Sequence, residues 1–445
     1  MKKTADLTEG PVGKQLIAFA LPFLGSSLIQ QLYNTVDLMF VGRLIGTEAS
    51  AAVGASSLLV TLLVGFFTGM SVGIGIISAH AFGAGNSREL HDIIHTAAGF
   101  TIAGSVVLMT IGWICSPVFL AWMNTPDSIM PLALTYIRVY FISVFSVIAY
   151  NIASGILRSL GDSRSPMIYQ FFGGAVNVAT DALFIAVLKW GVAGAALATL
   201  FSQTTAALLC TRQICRLDDS IRLRPRRIRI DFQVLLRILR IGIPAAVQAM
   251  VITLSNLVVQ SQINILGVES IAAFTAYFKV ENFIYLPIMA FGQANTAFVG
   301  QNTGAGKWDR VTKSVRFTLF SGSCTAIVIA AALLIFSRTF FCLFSSDDSV
   351  IALGGQIALR TFPFYFLYVF LETYSGTIRG SGRTLPPMLI VVINMCAVRI
   401  AVLMLLVHIF HSAAGVALVY PVTWACTVFC LAVYYRFGHW RPNSI

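Results

Sequence analysis

SGILRSLGDSRSPM, Ser154–Met167, returns 221 residues later as SGTIRGSGRTLPPM, Ser375–Met388. The echo extends outward. GAG at Gly83–Gly85 returns at Gly304–Gly306, and Gly194 of GVAGAALA falls on Gly415 of HSAAGVAL, both at the same offset. Pro22, Asn34 and Arg138 match Pro244, Asn256 and Arg360 at an offset of 222, one residue having been lost near the end of the first apolar stretch. A near-constant register over most of the chain makes each half one copy of the same unit.

Each copy holds six apolar spans, and a membrane-crossing helix needs about 20 such residues. The spans run near 15–41, 50–80, 93–114, 130–156, 166–188, 192–214, 238–265, 270–299, 312–337, 350–378, 386–410 and 413–436. Composition agrees: 57% of residues are hydrophobic and 11% charged, against roughly 25% charged in soluble domains, and the mean hydropathy is +0.82. The expected fold is all-α and polytopic, with twelve transmembrane helices. Because six is even, both copies enter from the same side, as parallel repeats with the substrate path between them. The expected division is an N-terminal lobe 1–215, a basic linker 216–237 and a C-terminal lobe 238–445. Residues 1–13 hold no apolar core of a cleavable signal ahead of the first span.

The net charge of +12 does not form a nucleic-acid surface. Lys and Arg fall in short loops on one side, among them Lys2, Lys3, Arg158, Arg164 and the run from Arg216 to Arg240; only Arg43, Lys189 and Arg338 lie on the other. The positive-inside rule makes the first side cytoplasmic, with both termini there. The eight cysteines show no CxxC pair, and His91 and His95, one helical turn apart, stand alone beside a loop. GAGNSRE and GAGKWDR follow no strand and lack a GK[ST] ending, so they read as turns between helices and not as phosphate cradles.

Charges left at membrane depth carry the functional signal. Four acids, Asp37, Asp181, Glu281 and Glu372, lie within spans, with four bases, Arg138, Lys279, Arg360 and Arg399. Arg138 and Arg360 are repeat-related and read as structural. The acids break the repeat: Asp37 stands opposite Val259, Glu281 opposite Val60 and Glu372 opposite Asn151. A scaffold requirement would recur in both copies; a task confined to one copy would not. Asn177 and Asp181 share a helix face, and with Asp37 and Thr199 they form a set of hard oxygen ligands suited to Na⁺, or to H⁺ on the carboxylates. Gln30, Gln31, Tyr33 and Asn34 make one stretch of the first span polar, as a wet cavity requires. In the second copy, Glu372 is expected to face the cavity, paired with Arg399 or Lys279.

Taken together, YNTVDLMFVGRLIG with its acid, GAG after the second and eighth spans, and SGILRSLGDSRSPM after the fourth resemble the multidrug and toxic compound extrusion (MATE) transporters. The resemblance covers about residues 14–436 and is compatible with the DNA-damage-inducible (DinF-like) branch. It implies a V-shaped pair of six-helix lobes in the plasma membrane. Such proteins export amphipathic, often cationic compounds by Na⁺ or H⁺ antiport, with no cofactor beyond the ion, and a monomer is expected. The first-lobe cation site maps onto Asp37, Asn177, Asp181 and Thr199. Substrate contacts map near Gln30, Tyr33, Asn34 and Asn151, with Glu281 and Glu372 in the second lobe. The seventh span lacks the acid that some members use for a second-lobe Na⁺ site.

The alternative is a flippase for lipid-linked precursors or a polysaccharide exporter of the same broad superfamily. A major-facilitator transporter would carry an acidic–basic signature where GAGNSRELHD stands. HExxH and GxGD patterns are absent from the sequence, which argues against an intramembrane enzyme, and no filter-like repeat suggests a channel.

Overall fold

The computed structural model describes residues 6–123, 125–410 and 412–441, and every regular element among them is helical. The first half is α1 (Val12–Phe40), α2 (Thr47–Gly83), α3 (Ser87–Trp122), α4 (Met130–Ser159), α5 (Arg164–Asp181) and α6 (Gly191–Cys215). The second begins with α7 (Phe232–Ile265), α8 (Val268–Gly304) and α9 (Trp308–Ile335). It continues in shorter pieces: α10 (Ser337–Cys342), α11 (Asp348–Thr361), α12 (Tyr365–Gly380), α13 (Leu385–Ile393), α14 (Arg399–Phe410), α15 (Ala413–Val416) and α16 (Val419–Phe437).

Eleven helical stretches among the described residues are long and apolar enough to cross a membrane. The expected eighth span, inside α8, is not one of them. That helix is 37 residues long but carries Lys279, Glu281, Gln293, Asn295 and Gln301 along its length. Leu21, Ile114, Trp122 and Phe429 stand outward on other helices, as hydrocarbon contact favours.

The repeat is visible in the backbone. Gly46 and Gly267 take φ 122° and 100°, Gly85 and Gly306 take 68° and 70°, and Gly161 and Gly382 take 84° and 89°. Members of each pair are 221 residues apart. These are left-handed turn positions that side chains with a Cβ rarely adopt. After the Gly85 turn, Asn86 caps α3: its oxygen accepts from the Glu89 N–H at 3.1 Å, and its amide donates to the Glu89 carboxylate at 2.9 Å.

The chain forms two compact units. One comprises Asp6 with Gly25–Ala246; the other comprises Leu7–Leu24 with Val247–Ile445. The changes of unit within α1 and α7 fall two or three residues after an intrahelical proline, Pro22 and Pro244. In the second unit, the segment before α1 is held by side chains at the end of α8 and just beyond it. Gln301 accepts from the Leu7 N–H at 2.9 Å, Arg310 donates to the carbonyls of Leu7 and Gly10 at 3.0 and 2.8 Å, and Lys307 donates to Thr8 O at 3.0 Å.

The basic linker is docked within the first unit. The Arg224 N–H donates to His95 Nε2 at 3.1 Å, Arg229 meets Asp92 at 2.8 Å and Arg237 meets Glu89 at 2.6 Å. His95 Nδ1 lies 2.8 Å from the His91 carbonyl, so both ring nitrogens have local structural contacts.

The two units differ in helix continuity. In the first, α4 runs unbroken for 30 residues. In the second, the expected span 350–378 breaks into α11 and α12 at a tight turn over Phe362–Phe364, because Pro363 has no N–H to continue the ladder. The expected span 386–410 is interrupted by a wide, π-type turn over Asn394–Val398. Two further turns of this kind follow α1 (Val41–Ile45) and α5 (Ala182–Val187). Such turns widen a helix locally and recur at functional sites.

Candidate coupling site and second-unit cavity

Asp37 sits one turn from the end of α1, and Asp181 is the last residue of α5. Small residues bring these helices together. At Gly173 a Cβ would lie 3.0 Å from the Ser202 carbonyl of α6, and at Gly174 it would touch Ile29 and Tyr33 of α1 at 3.4 Å. Backbones in membrane proteins approach this closely where side chains are small. The α5 helix is thereby seated on both α6 and α1, and the carboxyl groups of Asp37 and Asp181 come within hydrogen-bonding reach of each other.

Two carboxylates cannot bond to each other as they stand. One must carry a proton, or a cation must sit between them. Without either, both oxygens of Asp181 and one of Asp37 are buried with no partner among the described residues. Asn177, one turn before Asp181, is fully buried, and neither its oxygen nor its nitrogen has a partner among the described residues. Tyr136 of α4 lies close to both acids. Beyond them, the turns at 41–45 and 182–187 touch, and Val41, Ile185, Tyr136, Val192, Ala195 and Ala196 close an apolar cluster over that side. The acids therefore sit in a low-dielectric setting, where a buried unpaired polar group costs several kcal/mol.

Of the four residues expected at this site, the structure joins Asp37 to Asp181 and leaves Asn177 open beside them. The Thr199 hydroxyl donates to the Ala195 carbonyl of its own helix at 3.3 Å. Gln30 and Asn34 lie exposed on α1. Tyr33, expected on the cavity face, is buried instead: its hydroxyl accepts from Gln203 at 2.9 Å and Gln170 at 3.4 Å, tying α1 to α6 and α5. Asn151 donates to the Val147 carbonyl at 2.8 Å and lies 3.5 Å from the Thr68 hydroxyl, which donates to it.

In the second unit, the expected pairing of Glu372 with Arg399 or Lys279 does not form. Glu372 pairs with Arg379 of its own helix at 3.3 Å, both buried, and Gly292 of α8 leaves room for its side chain. Seven residues span two helical turns, which puts the two side chains on one face. Lys279 is exposed, on a different side of α8 from Glu281.

Glu281 instead lines a cavity of about 270 Å³ built entirely from the second unit. The break at 362–364 starts α12 at Tyr365, whose hydroxyl donates to Glu281. The turn at 394–398 brings Met395 and Arg399 to the same cavity. Arg399 is 2% exposed. It donates to Asn256 at 2.8 Å, Ser255 at 3.3 Å and Thr423 at 3.4 Å, and lies over the Tyr420 ring at 5.3 Å.

A protein-family model described as MatE matches residues 22–183 and again 244–405, well over half the chain. The chain belongs to the MATE family. The two matched stretches start 222 residues apart, the offset that relates Pro22 to Pro244. Among its relatives is a probable multidrug resistance protein, YpnP, of Bacillus subtilis strain 168, 28% identical over 100% of this chain and 99% of the relative. Another is a probable multidrug resistance protein, NorM, of Thermotoga maritima, 24% identical over 98% and 94%. A solved structure titled "Outward-facing conformation of a multidrug resistance MATE family transporter of the MOP superfamily" superposes with TM-score 0.89 at 21% identity, covering 99% of this chain and 98% of that one. The protein is thus a multi-pass membrane transporter of the multidrug-efflux MATE family, and not an enzyme.

Within this MATE transporter, sequence reading missed Tyr136, Gln170, Gln203 and Arg379. Gln170 and Gln203 are amides within apolar spans, so polarity at membrane depth was a usable signal for them. Arg379 follows Glu372 by seven residues, a same-face spacing. Tyr136 carried no such mark; its role arises only from the contact of α1, α4 and α5.

Proposed function

We propose that this MATE transporter exports amphipathic, often cationic compounds in exchange for Na⁺ or H⁺. The coupling ion is bound by Asp37 and Asp181, with Asn177 and Thr199 as further ligands. The observation that carries this reading is the meeting of the buried Asp181 carboxyl with the part-buried Asp37 carboxyl of another helix, with oxygens left unpartnered among the described residues. Such a pair must exchange a proton or a cation to change state, which is what a coupling site has to do. Gln30, Asn34 and Asn151 supply polar contacts to the substrate in the same lobe.

Ion binding from outside favours substrate release. The lobes, 1–215 and 238–445 joined by 216–237, then alternate access, and the ion leaves to the cytoplasm before substrate reloads. The protein works as a monomer in the plasma membrane with both termini cytoplasmic. The test is efflux of a cationic dye from proteoliposomes under separately imposed Na⁺ and H⁺ gradients. One gradient should drive export in the wild type. Dye that moves only down its own gradient, indifferent to both ions, would refute antiport.

A further inference from the structure

We infer that the second unit contains a separate binding site for a compact aromatic zwitterion, in the cavity shared by Glu281 and Arg399. Among the described residues, these two line one cavity without forming an ion pair, having no nitrogen–oxygen contact within 4.0 Å. Neither has a charged group in contact with it. Glu281 is held by the Tyr365 hydroxyl. Arg399 is held by neutral acceptors, and its Nε is buried with no partner, as is the Tyr420 hydroxyl beside it.

Removing a guanidinium from water is costly, and only a well-placed counter-charge offsets it. The described residues supply none at contact distance. An anionic group on a ligand, bonded to Arg399 and the Tyr420 hydroxyl, would supply it. Glu281 asks for the converse, an ammonium, and tyrosine and tryptophan faces attract cations.

The walls between the two charges are rings. Tyr285, Tyr368 and Trp424 line the cavity, with Tyr368 and Trp424 at 5.5 Å between centroids and near edge-to-face. They suit a flat apolar body. At about 270 Å³ the cavity lies below the range of roughly 300–1,000 Å³ typical of drug-sized ligands, so the occupant is small. A lone cation fits poorly, because Arg399 shares the space. A lone anion meets Glu281 in the same way. A molecule carrying both charges satisfies both walls.

This site has no counterpart in the other repeat, where Val60 and Val178 stand at the positions of Glu281 and Arg399. It does not depend on the export reading, since binding is measured without transport.

The experiment is equilibrium binding of radiolabelled tryptophan, tryptamine and indole-3-propionate to the full chain in nanodiscs. These share one ring system and carry both charges, only the positive charge and only the negative charge. Tryptophan should bind at least tenfold more tightly than either of the others. Glu281→Gln should cost tryptophan and tryptamine at least tenfold and strengthen indole-3-propionate, whose carboxylate no longer shares the cavity with Glu281. Arg399→Gln should cost tryptophan and indole-3-propionate at least tenfold and strengthen tryptamine, whose ammonium no longer shares the cavity with a guanidinium. Because Arg399 also ties α14 to α7 and α16, Asn282→Trp is run beside it: this fills the cavity, keeps both charges and should abolish binding of all three. Asp37→Asn should bind tryptophan as the wild type does, so that failure of ion coupling and failure of this site are told apart. The inference is overturned if tryptophan does not bind the wild type, or if tryptamine binds as well as tryptophan. It is equally overturned if Asn282→Trp leaves tryptophan binding intact.

Discussion

Replacing Asp37 by Asn should uncouple the transporter without unfolding it. The Asp37 and Asp181 carboxyls face each other at hydrogen-bonding reach. Two full charges about 4 Å apart repel by about 4 kcal/mol at an effective dielectric constant near 20. Binding a proton or Na⁺ between them relieves that repulsion, which favours the ion by about a thousandfold over a lone carboxylate. An asparagine at 37 removes the repulsion and offers an amide donor to Asp181, so the folded state keeps its packing while the ion loses its advantage. Two assays read this. Gradient-driven dye efflux from proteoliposomes should fall to the leak rate. The unfolding transition in nanodiscs should lose its dependence on the coupling ion; in the wild type, ion at about a hundred times its dissociation constant stabilises by about 2.7 kcal/mol. Wild-type efflux by Asp37→Asn, with the ion-dependent stabilisation intact, would refute the reasoning, because the pair would then be a passive contact.

Other outcomes follow from the same geometry. Gly173→Val should disable coupling through position alone: the first added carbon already lies 3.0 Å from the Ser202 carbonyl, so α5 must shift and carry Asp181 away. Efflux should collapse with both acids present, whereas Gly54→Ala, where a Cβ meets nothing within 4 Å, should be silent. Glu372→Gln leaves the Arg379 charge buried with its partner gone, and thermal unfolding should show a loss of about 3–5 kcal/mol; the double change Glu372→Leu with Arg379→Met should recover most of it. Tyr33→Phe strands the Gln170 and Gln203 amides, which should cost about 1–3 kcal/mol in the same measurement, with the selectivity among dyes unchanged because the hydroxyl points inward.

The architecture was written in the order of residues. Span lengths depend on apolar run length alone, and the repeat is a matter of register, so twelve spans in two six-span copies could be read without coordinates. The turns at Gly85, Gly161, Gly306 and Gly382 follow from the same reading, since glycine permits the left-handed backbone they adopt. The acids Asp37 and Asp181 were legible because a carboxylate at membrane depth needs a reason. Pairing was not legible. Which acid meets which base depends on where helices cross, and that is set by details such as Gly173, Gly174 and Pro363, whose effect appears only once neighbours are in place. Depth and charge thus pointed Glu372 towards Arg399 or Lys279, when its partner is two turns away on its own helix. The second-unit cavity depended on such details throughout. A proline break and a π-type turn, at positions where the first copy carries Ile142 and Gly173–Asn177, carry Tyr365 and Arg399 to Glu281. The sequence alone determined that the chain spans a membrane as a repeated helical unit with four acids at membrane depth to explain. Only the packed structure decided that Asp37 and Asp181 share one contact while Glu281 and Arg399 stand apart across a cavity. Hydropathy and register are local sums along the chain, whereas contact depends on the relative placement of several helices at once.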